Sequence, residues 1–71
     1  MTNEEKISLL EEMFDVDEGT IQLDMALDSL PWDSMAMLSL IALVNERFGK
    51  KLAGAQLRSM KTVADIVAAM E

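Results

Sequence analysis

The stretch "MALDSLPWDSMAML", residues 25–38, holds two Asp-Ser pairs, each followed by a large apolar residue. They are Asp28-Ser29-Leu30 and, five positions on, Asp33-Ser34-Met35. A serine hydroxyl attacks an electrophile when a base takes its proton, carries a phosphate ester, or caps a helix. The chain has no histidine and no cysteine, so the commonest general base and the commonest zinc ligands are missing. That removes most hydrolase and metalloenzyme readings and leaves phosphate attachment and capping for these serines.

Local geometry separates the two. Pro31 disfavours helical backbone at Leu30 but suits a turn just ahead of a helix. Ser29, two residues before that proline, is badly placed to open a helix. Ser34 has uninterrupted helix-forming sequence behind it. With a helix starting after Trp32 and capped by Asp33 or Ser34, the Ser34 hydroxyl stands at the positive end of the helix dipole. The amides there lack intrahelical partners and would stabilise an attached phosphate. Simple N-capping explains the same residues, because aspartate and serine are both favoured caps.

The elements around this point follow from pattern. Thr2 and Glu5 make a capping box for a first helix, whose apolar face is Ile7, Leu10, Met13 and Phe14. Glu4, Glu5, Glu11 and Glu12 are expected to stay in water. That helix should fade near Asp15, where "DVDEGT" has turn chemistry. Residues 15–33 then form a long connection with apolar anchors at Val16, Ile21, Leu23, Met25, Leu27 and Leu30. The alternation over Ile21–Leu27 resembles a strand, but an extended loop pinned to the core is preferred, with a helical turn near Leu23–Leu27 as an option.

A second helix is expected to run to Phe48 and stop at Gly49, with Lys50 and Lys51 near its negative end. Met37, Leu40, Ile41, Val44 and Phe48 recur on one face, Leu38 and Leu43 flank them, and Met35, Ser39, Ala42 and Glu46 lie opposite. Residues 53–60 suggest a short third helix, weakened by Gly54. Thr62 and Asp65 cap a fourth with a stripe of Val63, Ile66, Val67 and Met70. The expected fold is all-α: a small four-helix bundle of three main helices and one short third helix, with a long loop between the first and second. Residues 1–71 form a single domain.

Net charge is −7, which disfavours nucleic acid and anionic membranes as partners. Ten of the thirteen acidic residues lie within residues 1–33, while five of the six basic residues lie at or after Arg47. Such segregation either serves solubility or steers the acidic half toward basic patches on partner enzymes. No secretory signal opens the chain, and the longest apolar run, residues 35–44, falls short of the roughly 20 residues of a membrane span. A cytoplasmic monomer is expected.

The stretch "WDSMAMLSLIALVNERFGKKL" resembles the acyl carrier protein and peptidyl carrier protein family, in which an Asp-Ser-Leu-type motif opens the second helix. Counted from Ser34, apolar residues at +1, +4, +6, +7 and +10 are Met35, Leu38, Leu40, Ile41 and Val44. The aromatic at +14 is Phe48 and the aliphatic at +18 is Leu52; counted from Ser29, those positions hold Leu43 and Arg47 and the register fails. The "TVAD" opening of the last helix extends the resemblance over nearly the whole chain.

The resemblance implies a carrier and not an enzyme. Ser34 would hold 4′-phosphopantetheine, transferred from coenzyme A by a phosphopantetheinyl transferase that supplies the catalysis and its magnesium. The arm's thiol would hold acyl groups as thioesters, exchanged with acyl- or aminoacyl-activating and acyl-transfer enzymes. Asp33 would orient the serine, and Met35 would be the exposed apolar neighbour where the family usually has leucine. Trp32, Ser39, Ala42 and Glu46 would serve partner recognition; for Trp32 the plainer expectation is a lid on the bundle end. Only Glu46 is acidic between Ser34 and Phe48, unlike the acid-rich second helix of fatty-acid carriers, which favours a specialised pathway. Two alternatives stand beside this one: an aminoacyl or peptidyl carrier, D-alanyl carriers included, and a helical adaptor that bears no group.

Overall fold

The computed structural model describes residues 2–70 and contains four helices and no strand among them. The first helix, α1, spans Asn3–Phe14. Its start is fixed reciprocally: the Thr2 hydroxyl accepts from the Glu5 amide at 3.2 Å, and the Glu5 carboxylate accepts from the Thr2 amide at 2.9 Å. Its end is a left-handed Asp15 (φ 57°), after which the Val16 amide donates back to the Glu11 carbonyl at 3.1 Å. Aspartate is one of the few residues besides glycine that adopts this conformation readily.

One α1 residue departs from expectation. Glu11 is buried rather than solvated, because the loop folds back over it. Its carboxylate accepts from the Gly19 amide at 2.8 Å and the Ile21 amide at 3.1 Å. A buried carboxylate is tolerable only with such partners. Lys6, on the same helix, is buried too.

The connection is held at a second point. The Leu27 amide donates to the Lys61 carbonyl at 2.9 Å, while the Val63 and Ala64 amides donate to the Met25 and Leu23 carbonyls at 3.0 and 2.9 Å. These contacts surround a lone antiparallel bridge between Ala26 and Thr62. The alternation in the loop thus gives one bridge and no strand. The loop carbonyls satisfy amides that the fourth helix would otherwise leave unpaired at its start. The 3₁₀ turn falls at Leu27–Ser29, after the bridge residue Ala26, while Leu23 and Asp24 form only a tight turn closed by the Met25 amide donating to the Gln22 carbonyl at 3.1 Å. Leu23, expected as an apolar anchor, sits in that turn and is exposed, and it contributes its carbonyl to the Ala64 amide instead.

The remaining helices are α2 (Ser34–Phe48), α3 (Gly54–Arg58) and α4 (Val63–Ala69). Gly49, left-handed at φ 67°, ends α2 where the sequence places a stop. Helix α3 is shorter than residues 53–60 suggested and opens at Gly54. At the head of α4 the Asp65 carboxylate accepts from the Lys61 and Thr62 amides at 2.9 and 3.1 Å. One hydrophobic cluster joins all four helices and the loop, with Leu10, Leu27, Leu40, Leu57, Ile66 and Met70 almost fully enclosed. Among the described residues, no helix is long and apolar enough to cross a membrane.

Candidate functional site

The site is built at the junction of the loop and α2. The Trp32 amide donates to the Leu30 carbonyl at 2.7 Å, closing a tight turn centred on Pro31. This turn redirects the chain so that Asp33, in extended conformation, can cap the helix that follows. The Asp33 carboxylate accepts from the Ala36 amide at 2.9 Å. Asp33 is therefore the cap and Ser34 the first helical residue.

Ser34 is exposed. Among the described residues its hydroxyl makes no hydrogen bond. The amides of Ser34 and Met35 share the open first turn of α2, since the Asp33 side chain takes only the one from Ala36. Ser29 presents a different picture. Its hydroxyl donates to the Ala26 carbonyl at 2.6 Å and so closes the 3₁₀ turn in which it lies. The two Asp-Ser pairs are alike in sequence, yet one hydroxyl is engaged in the backbone and the other is free.

Around Ser34 the expected residues divide by environment. Met35 is 76% exposed and Leu38, one turn on, is 67% exposed. Leu38, which flanks the apolar stripe in sequence and stands at +4 from Ser34, is thus exposed beside Met35. Ser39, Ala42 and Glu46 are exposed along α2, and together with Leu43 they border a shallow groove against Leu9 and Met13 of α1. Trp32 is half-buried against the core, its ring centroid 6.3 Å from that of Phe14 at a tilt of 52°. It packs on the core cluster just before Asp33 and Ser34, while Leu40 and Val44 anchor α2 in the core. No cluster of metal-ligating side chains occurs among the described residues.

A family profile described as the phosphopantetheine attachment site matches residues 7–70. Two curated relatives named acyl carrier protein, from the Twist and TW08/27 strains of Tropheryma whipplei, are each 34% identical over 53 residues. The matched stretch is 73% of this chain and spans only 65% of the relatives' own length. No solved structure matches the chain significantly. With its helical bundle and the profile covering nearly all of it, the chain belongs to the phosphopantetheine attachment-site family. The prosthetic group of that family is covalently held 4′-phosphopantetheine, and its members are carriers rather than catalysts.

The residues present fit such a group. A phosphodiester needs an accessible hydroxyl, room for a linear arm and a field that favours an anion. Ser34 offers the first two, and the start of α2 offers the third. When bound, the group supplies a thiol, which this cysteine-free chain otherwise lacks.

Proposed function

We propose that Ser34 Oγ is the attachment atom and that the protein carries acyl groups as thioesters at the end of the arm. The observation that carries this reading is the contrast between a free, exposed Ser34 hydroxyl at the head of a 15-residue helix and a Ser29 hydroxyl bonded into a turn. Ser34 Oγ forms the phosphoester bond as the adenosine bisphosphate portion of coenzyme A leaves. The serine proton goes to a base on the transferase, because among the described residues no side chain is hydrogen-bonded to Ser34 to receive it. Asp33 contributes by fixing the helix start, hence the direction in which the Ser34 side chain is presented.

The enzymes served are a phosphopantetheinyl transferase and acyl-activating and acyl-transfer enzymes of a specialised pathway. They would dock on Met35 and along Ser39, Ala42 and Glu46, with Trp32 at the edge of the contact. That both relatives are acyl carrier proteins supports acyl over aminoacyl cargo. The sparse acidity of α2 supports recognition by apolar contact more than by charge.

Intact-mass measurement after incubation with coenzyme A and a broad-specificity transferase tests the attachment. The wild type and Ser29→Ala should each gain roughly 340 Da, the mass of the arm. Ser34→Ala should gain nothing. Loading that survives in Ser34→Ala and disappears in Ser29→Ala would assign the arm to the other serine.

A further inference from the structure

The chain has seven methionines, and the environments of the six among the described residues differ widely. Met70 is 1% exposed inside the core, and Met13, Met25, Met37 and Met60 are half-buried against it. Met35 is 76% exposed, on the first turn of α2, next to Ser34. Thioether oxidation follows accessibility, and before an arm is attached no thiol in the chain competes for an oxidant. The side chain adds little to the core, so chemistry at its sulfur would leave the bundle intact. Its effect would instead fall on the apolar pair it forms with Leu38, spaced i, i+3 beside the attachment serine.

We propose that Met35 is a redox-sensitive modification site: oxidation of its thioether to the sulfoxide by a hydroperoxide slows the enzymes that act at Ser34. The proposal rests on Ser34 being the attachment residue. In the step, the Met35 sulfur attacks one oxygen of hydrogen peroxide, the O–O bond breaks and an S–O bond forms. The second oxygen leaves as water after proton transfer, so the sulfur is oxidised by two electrons and the peroxide reduced by two. The product is a strong dipole that must be hydrated. Burying it in an apolar contact without a donor is unfavourable, so an enzyme that covers Met35 on its way to Ser34 binds the oxidised form more weakly. Reduction by a methionine sulfoxide reductase restores the thioether and makes the change reversible.

The test uses the full chain before arm attachment, exposed to graded hydrogen peroxide and then desalted. Of the methionines from Met13 to Met70, fragment-ion mapping should show sulfoxide at Met35 first, roughly tenfold or more ahead of buried Met70. The rate at which a broad-specificity transferase loads coenzyme A's arm should fall several-fold and recover after sulfoxide reductase treatment. Circular dichroism should be unchanged, which separates the effect from unfolding. Met35→Leu should lose the peroxide response relative to its own untreated rate, and Met35→Gln should resemble the oxidised wild type. Earlier oxidation of Met13, Met25, Met37, Met60 or Met70, or an undiminished loading rate with Met35 oxidised, would overturn the proposal. If untreated protein takes up no arm at Ser34, the attachment reading fails and the switch fails with it, while the order of oxidation still stands as measured.

Discussion

The Glu11 carboxylate accepts a hydrogen bond from the Ile21 amide ten residues along the chain, at 3.1 Å, in the buried interior of the loop. The same oxygen accepts from Gly19 at 2.8 Å. One side chain therefore ties the start of the long connection to the first helix, and the Leu23–Leu27 contacts tie its middle to α4. The segment that presents Ser34 is braced at both places.

Removing the first brace should be costly. Glu11→Ala leaves two amides without their acceptor, and one unsatisfied buried donor alone costs about 1–3 kcal/mol. Glu11→Gln keeps a carbonyl oxygen for them and should lose less. Urea denaturation will rank the three proteins, and amide exchange at Gly19 and Ile21 should accelerate selectively in the alanine variant.

The cap at Asp33 makes a second prediction. Asp33→Ala removes the acceptor for the Ala36 amide and should cost about 0.5–2 kcal/mol, whereas Asp33→Asn should retain most of the stability. The readout is the thermal midpoint. Fraying of the first turn of α2 should also appear as faster exchange at the Ala36 amide, because that is the bond lost.

Helix boundaries were legible because their signals are local. Thr2 with Glu5, Pro31 with Asp33, and Gly49 each act within a few residues, and the helix starts and stops they imply are those observed. The placement of Ser34 at the start of α2 was legible for the same reason. Glu11 was not, since a glutamate on an amphipathic helix is drawn inward only when distant backbone arrives to bond it. Leu23 and the 3₁₀ turn were misplaced because residues 61–64, far along the chain, take up the Leu23 and Met25 carbonyls and the Leu27 amide and so set the course of the loop. The exposure of Leu38 beside Met35 depends on what α1 and α3 leave uncovered, and spacing within α2 cannot report that.

Two exposed carboxylates make stability sensitive to acid. The backbone amide and then the hydroxyl of Thr2 hold Glu5 below its ordinary value of 4.5, and the backbone amides of Lys61 and then Thr62 hold Asp65 below 3.8. For a lowered folded-state value, the unfolded chain binds more protons in the interval between the two values, so stability rises with pH there. The contribution is complete above the ordinary values and disappears as pH falls through the folded ones. Denaturation midpoints measured from pH 6 downward, roughly across and below the ordinary carboxylate range, should decline more gently in Glu5→Gln and Asp65→Asn than in the wild type. Equal slopes in all three would show that these caps are not the titrating links.

Helix α3 supplies the last prediction. It has five residues, too few to be stable alone, and Leu57 is its one buried side chain. The Leu57 amide also donates to the Ala53 carbonyl at 3.2 Å, but this local bond cannot fix the helix against the core. Leu57→Ala should cost about 2–5 kcal/mol, because it combines lost transfer energy with a cavity beside α2. A domain of 71 residues has roughly 4–11 kcal/mol in total, at about 0.05–0.15 per residue, so the variant should be marginal or largely unfolded at 37 °C. Leu57→Met keeps the volume and should cost less than about 1.5 kcal/mol. Circular dichroism melting of the two variants against the wild type decides the point. A Leu57→Ala midpoint close to the wild type's would mean that α2 and α4 close over the gap unaided, and that α3 is a passive link between them.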